Sequence, residues 1–510
     1  MELGTRPFGA VPLEGGRVAF RVWAPRAGSA SVRLGGALHA LAAEENGVFA
    51  AELPAQPGED YVYVLDGSRE LPDPCSRFQP DGLHGPSRIV DLRTFRWTDA
   101  AWSGLRLEEL VLYELHVGTF TDEGTFDAAI PYLRDLHELG VTAVELMPVA
   151  TFPGNRGWGY DGVYASAPHP AYGGPEGLAR LVDAAHAMGL GVVLDVVYNH
   201  VGPGSEAIAA FGPYFTESRK TPWGAAMNFA EPAVREWAVQ NACAWARDYH
   251  VDGLRLDAVF AVHDDAPEHV MAELARRVHA ESPGTLVIAE TYADDRRPLG
   301  EWGHDAQWWD AFHHALHVQL TGERDGYYAA YADGALLAHA FERPEGERFV
   351  VCAQNHDQVG NRPLGDRLTR DQLRVAAHCV LLAPFTPLLF MGEEHGERRP
   401  FQFFSDHVDP GVAEATRRGR RREFADFRGF SAEDVPDPQD PATCARSRLD
   451  RSAGDAGLHA LYAELLRLRR GLPRRADAAW EPESRRLHVR RGEVELTVDF
   501  AACTAELRGA

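Results

Sequence analysis

Between residues 110 and 391 the chain repeats one unit: a short apolar run, a turn, then a stretch with apolar residues three or four apart. A run apolar on both faces is a strand covered on both sides, and such strands alternating with amphipathic helices form parallel βαβ units. Strands are expected at 110–116, 141–148, 189–198, 251–259, 285–290, 306–308, 349–356 and 387–391, the sixth carrying the weakest pattern. Helices are expected at 127–139, 176–188, 231–249 and 267–280. About eight such units match an α/β fold closed into a (β/α)₈ barrel better than an open sheet.

The flanks read differently. Residues 18–23, 30–34, 48–53 and 61–65 alternate apolar and polar side chains between Gly, Pro and Asn, the pattern of a small β-sandwich. Residues 71–87 are rich in Pro and Gly and are expected to form an ordered connector. Beyond residue 403 come a basic stretch at 417–422, expected as a solvated helix face, a helix at 458–470, and strand-like pieces at 486–490 and 493–500. The expected division is a sandwich at 1–92, the barrel at 93–425, and a region at 426–510 ending in a small β-domain.

A formal net charge of −24 argues against nucleic acid or an anionic membrane as partner and leaves a neutral substrate unaffected. The six cysteines show no C-x-x-C spacing, so buried free thiols in a reducing compartment are expected. The first ten residues lack the basic and apolar regions of a secretory signal, and no run reaches transmembrane length, so the cytoplasm is the expected location.

In a (β/α)₈ barrel, functional groups gather at the C-terminal strand ends. Those ends carry His116, then Asp195 with Asn199 and His200, then Arg255 with Asp257, then Glu290, and last His356 with Asp357. Each alone could be a helix cap or a core hydrogen bond. Asp257, Glu290 and Asp357 together are a set of converging carboxylates, the apparatus of glycoside hydrolysis. Arg255 and Asp257, two apart on a strand, share a face, and the cation would keep Asp257 ionised as a nucleophile. Glu290 ends the apolar run Leu286-Val287-Ile288-Ala289, where desolvation would raise its pKa toward that of a general acid.

Asp195-Val-Val-Tyr-Asn199-His200, Gly253-Leu-Arg255-Leu-Asp257, Ala289-Glu290 and Asn355-His356-Asp357 resemble, in order and barrel position, four signature regions of the α-amylase family of glycoside hydrolases. The resemblance implies a retaining mechanism with Asp257 as nucleophile, Glu290 as acid/base and Asp357 bonding the sugar hydroxyls. It implies Asp195, His200, Arg255, Asn355, His356 and Gln358 as substrate-binding groups, and an aromatic platform at Trp158-Gly159-Tyr160-Asp161, where Tyr160 stacks on the sugar.

Residues 73–82, Glu114-Leu-His116-Val-Gly118-Thr-Phe120, Phe312-His313-His314-Ala-Leu-His317, 354–361 and 435–439 resemble the maltooligosyltrehalose trehalohydrolases. That family carries an N-terminal sandwich of the carbohydrate-binding-module type and cleaves the α-1,4 bond beside a terminal trehalose. The resemblance implies maltooligosyltrehalose as substrate, a place downstream of a maltooligosyltrehalose synthase, and no cofactor or obligatory metal. Two departures bear on the leaving-group loops: Trp309-Asp310-Ala311 before the Phe-His-His run, and His395 after Glu393-Glu394. A glucan branching enzyme and a non-catalytic glucan-binding protein on the same barrel are the rival readings.

Overall fold

The computed structural model describes residues 6–424 and 434–509; the first five residues and the boundary expected at 425/426 lie outside them. Eight parallel strands close into a barrel: β1 (Leu112–Leu115), β2 (Ala143–Leu146), β3 (Gly191–Val196), β4 (Gly253–Leu256), β5 (Leu286–Ala289), β6 (Ala306–Trp308), β7 (Phe349–Cys352) and β8 (Thr386–Phe390), with β8 pairing back onto β1. The register sets Asp195 beside Arg255 and Arg255 beside Ile288. Leu112, Ala143, Val193, Ile288, Ala306, Val350 and Leu388 fill the barrel's interior, so it is a packed core and the site sits above it. β1 to β5 and β7 are shorter than the runs expected for them, whereas β6 has its expected bounds and β8 its expected length, one residue earlier.

Helices Gly174–Ala187, Pro232–Tyr249 and Val270–Glu281 cover the barrel as the periodicity predicts. The helix expected at 127–139 is broken into Phe126–Ala129, a 3₁₀ turn at Ile130–Tyr132 and Leu133–Leu139. Pro131 sits in the break, since it has no N–H for the helical ladder.

The N-terminal sandwich has two antiparallel sheets, with Arg17–Trp23 and Val48–Pro54 central in one and Ala30–Leu34 and Asp60–Leu65 in the other. It docks through aromatic edges: Trp23 on Tyr214 (centroids 5.2 Å) and Tyr63 on Phe211 (6.1 Å). The connector is ordered, with Asp73, Ser76 and Gln79 buried and the Pro74 carbonyl accepting from Trp237 Nε1 at 3.1 Å. At the other end Asp477–Glu481, Arg486–Arg491, Val494–Asp499 and Thr504–Arg508 form a four-stranded antiparallel sheet. Arg469 and Arg491 pin this region to the barrel by donating to the Leu381, Leu382 and Ala383 carbonyls.

The basic stretch at 417–422 is the mostly exposed helix face expected, with one exception. It lies on the helix Pro410–Glu423, but the Arg420 side chain is only 9% exposed, drawn inward over Phe403 and Phe424. All six cysteines are free, five of them buried. Among the described residues no helix is long and apolar enough to cross a membrane.

Candidate active site

One buried cation organises the C-terminal mouth of the barrel. Arg255, on β4, has a fully buried side chain. Its Nη1 donates to Asp195 Oδ1 and Oδ2 at 2.9 and 2.8 Å and to Asp257 Oδ1 at 2.7 Å. Its Nη2 lies 2.8 Å from Glu290 Oε2 as a charge pair without hydrogen-bond alignment. The guanidinium also lies over the Trp308 ring, 4.4 Å from its centroid. A lone buried guanidinium would be costly, and carboxylates from three successive strands offset that cost.

Asp257 is held at both oxygens, Oδ1 by Arg255 and Oδ2 by Asn199 Nδ2 at 2.8 Å. The next residue, Ala258, takes φ +43°, a left-handed conformation that a non-glycine residue adopts at a cost. That turn aims the Ala258 N–H at Glu290 Oε2, 2.8 Å away. Burial pushes the Glu290 carboxyl well above the usual range; Asp257 and Asp357 add to the rise, against Arg255 and the Ala258 N–H. The two carboxylates are thus driven into different environments, one paired twice and one desolvated beside like charges.

His356 and Asp357 open the one-turn helix His356–Gly360, capped by Asn355, whose Oδ1 accepts from the Gln358 N–H at 2.7 Å. Asn355 and Gln358 therefore make the turn that carries Asp357. Glu114, buried at the end of β1, accepts from the His356 N–H at 2.8 Å and also contacts its Nδ1. Burial alone would lower the His356 pKa, but Glu114 and Asp357 overcome it and push it up to about 9. The imidazolium then donates from Nε2 to Tyr160 Oη at 2.8 Å, and that hydroxyl donates to Asp195 Oδ2 at 2.6 Å. Burial likewise raises Asp195, to about 6 even with Arg255 attached.

Tyr160 stacks on His356 (centroids 5.0 Å, 27°) and is half-buried. Gly159 makes this possible: φ is +103°, and a Cβ there would fall 2.0 Å from the Pro148 carbonyl oxygen. Trp158 is buried behind it, stacked on Phe401 and edge-on to His356, with Nε1 donating to the Gln402 carbonyl. It backs the site and offers no free face. His200 contacts the Tyr160 carbonyl at 3.0 Å, and burial lowers its pKa. Trp223, half-exposed at the tip of the hairpin Phe215–Thr221/Gly224–Met227, stacks on its ring at 5.0 Å.

Other strand-end groups stay out. His116 is buried between Thr119 and the Gly157 carbonyl, and burial brings it down to about 4. His313 bonds the Ala353 carbonyl and His317 pairs with Glu323, which leaves both as packing groups. His395 pairs with Glu394 at 2.9 Å. Two groups not expected as site residues belong to it, Glu114 and Asp310, and Asn199, expected at a strand end, is held there by its bond to Asp257. Asp310, half-buried just past β6, is raised to about 6 by burial and then by Asp357. Among the described residues no group of three or more His, Cys, Asp or Glu is arranged to hold a metal ion, and Asn199 is committed to Asp257 and His200.

Residues 94–223 match the family model of the alpha amylase catalytic domain. The malto-oligosyltrehalose trehalohydrolase of Deinococcus radiodurans is 46% identical over 507 residues, covering 91% of this chain and 83% of the relative. The enzyme of that name from Saccharolobus solfataricus is 40% identical over 96% of this chain and 90% of its own. The chain belongs to the malto-oligosyltrehalose trehalohydrolase family. A crystal structure of an amylase-named protein from Salmonella typhimurium superposes with TM-score 0.88 at 37% identity, covering 96% of this chain and 92% of that one. A 1,4-alpha-glucan branching enzyme from Nitratidesulfovibrio vulgaris is more distant, 30% identical over 77% of this chain and 72% of its own. Membership in the trehalohydrolase family places the two-carboxylate site among glycoside hydrolases.

Proposed function

We propose that the protein hydrolyses the α-1,4-glucosidic bond beside the terminal trehalose of maltooligosyltrehalose, releasing trehalose with retention at the glucan end. The observation that carries this reading is Arg255 bridging Asp195 and Asp257 while facing Glu290, whose carboxyl burial pushes well above the usual range. Glu290 gives its proton to the glycosidic oxygen as that bond breaks, and Asp257 attacks the anomeric carbon from the opposite face. The result is a covalent glucosyl ester and free trehalose. Glu290, now a carboxylate, takes a proton from water, which displaces Asp257 and releases the shortened glucan. Asp357 bonds the ring hydroxyls most strongly in the flattened transition state, and Tyr160 stacks on the ring. The enzyme works in the cytoplasm on the product of a maltooligosyltrehalose synthase.

The test is incubation with maltotriosyltrehalose and, separately, with linear maltooligosaccharide, followed by product identification. Free trehalose with little attack on the linear chain supports the reading. New α-1,6 branches would make the protein a branching enzyme, and binding without turnover a glucan-binding protein.

A further inference from the structure

The helix Pro410–Glu423 approaches the site from outside the barrel, and most of its arginines face solvent or surface acids. Arg420 does not. Its guanidinium packs against Phe403 and Phe424, 5.2 and 4.5 Å from their centroids. From there Nη1 donates to Asn361 Oδ1 at 3.1 Å and to Glu423 at 2.9 Å, and Nη2 donates to the Gly360 carbonyl. Asn361 passes the constraint on: its Nδ2 donates to Asp357 Oδ1 at 2.9 Å.

The chemistry of an amide makes this chain directional. An asparagine could present either oxygen or nitrogen to a neighbouring carboxylate, and only the nitrogen donates. A guanidinium has only donors, so Arg420 against Oδ1 fixes the amide with its NH₂ toward Asp357. Asp357 needs such help more than its partners: its side chain is 37% exposed, against 10% for Asp257 and 15% for Glu290. Arg255, which holds the other two, is not bonded to it.

We propose that Asn361 and Arg420 are positioning residues for Asp357, with Arg420 setting the Asn361 amide and also tying down the last carbonyl of the helix that carries the carboxylate. The proposal rests on the reading of Asp357 as the group that bonds the sugar in the transition state. A group whose bonds tighten mainly in the transition state loses kcat when misplaced, while ground-state binding is largely kept.

The experiment measures kcat and KM on maltotriosyltrehalose, and Tm, for Asn361→Ala, Arg420→Met, the double variant, Arg420→Lys and Asp357→Asn. Asn361→Ala and Arg420→Met are each expected to lose roughly 10- to 100-fold in kcat with KM changed by less than about threefold. The double variant should be no slower than the slower single, since both act on one carboxylate. Arg420→Lys should recover part of kcat, because an ammonium can donate to Asn361 or to Gly360 without holding both. Independent multiplying losses, losses confined to KM or Tm, or unchanged kcat would each overturn the proposal. Should Arg420→Met not fold, Asn361→Ala with Arg420→Lys decides the matter by the same split of kcat from KM. Full activity in Asp357→Asn would instead remove the role of Asp357, whereas an inactive Asp357→Asn beside active Asn361 and Arg420 variants would remove only the relay.

Discussion

Glu114→Gln removes one buried charge under the site while keeping its shape. In the parent protein Glu114, followed by Asp357, holds His356 protonated up to about pH 9 against the opposing pull of burial. A histidine whose folded pKa is raised above the ordinary 6.5 or so stabilises the fold fully below that ordinary value and loses the contribution as pH rises through about 9. For His356 this linkage is worth roughly 2–3 kcal/mol at pH 7 and almost nothing at pH 10. With glutamine at 114 the amide oxygen still accepts from the His356 N–H, but burial then dominates and the imidazole titrates below its ordinary value. Histidine labelled with ¹³C at Cε1 reads this directly by NMR, with His356→Asn supplying the assignment. The expected midpoint is near pH 9 in the parent and below about 6.5 in the variant. Urea unfolding should show the variant less stable by about 2–3 kcal/mol at pH 7, with the gap narrowing at pH 10. A parent midpoint near 6.5, or one that Glu114→Gln leaves in place, would refute the reasoning.

Asp257→Asn keeps shape and volume but supplies a poor nucleophile, so turnover should fall on the order of 10⁴-fold or more while circular dichroism and Tm stay near the parent's. Glu290→Gln should lose roughly 10²–10⁴-fold on the natural substrate. A glucoside with an acidic aglycone needs little protonation, so its first step should suffer far less, and equal losses on both substrates would remove Glu290 as the acid. Tyr160→Phe strips the donor from Asp195 and the acceptor from His356. It should cost about 1–3 kcal/mol in kcat/KM or stability, seen as a lower kcat/KM or Tm, and an unchanged protein would show that this hydroxyl is idle.

What the sequence made legible follows from period and position. Apolar runs bounded by turns mark seven barrel strands clearly, because strands covered on both faces leave few polar residues inside them. β6, with three residues, is too short to show a period, so Asp310 just beyond it is legible only within the Trp309-Asp310-Ala311 departure and not as a neighbour of Asp357. Asp257 and Glu290 were legible because the residues that differentiate them, Arg255 and the run 286–289, are their chain neighbours. Glu114 was not, since its partner His356 lies 242 residues away. Trp158 was read as part of a platform, but its ring is taken up by Phe401 and the Gln402 carbonyl, again remote in sequence. Arg420 sits among five other residues that suggest a solvated basic face, and only the approach of Phe403 and Gly360 singles it out. Local chemistry is readable in order along the chain; partnership across the barrel becomes visible only when the strands are placed side by side.

The central claim is trehalose release by a retaining, two-carboxylate reaction. Proton NMR of maltotriosyltrehalose digestion in the first minutes, before mutarotation, tests it most directly, with maltopentaose run in parallel. The account predicts trehalose and maltotriose as products, the new reducing end appearing first as the α-anomer because two inversions by way of Asp257 restore the starting configuration, and a higher kcat/KM on maltotriosyltrehalose. An initial β-anomer would contradict the nucleophile mechanism, and equal rates on the two substrates would contradict the trehalose assignment.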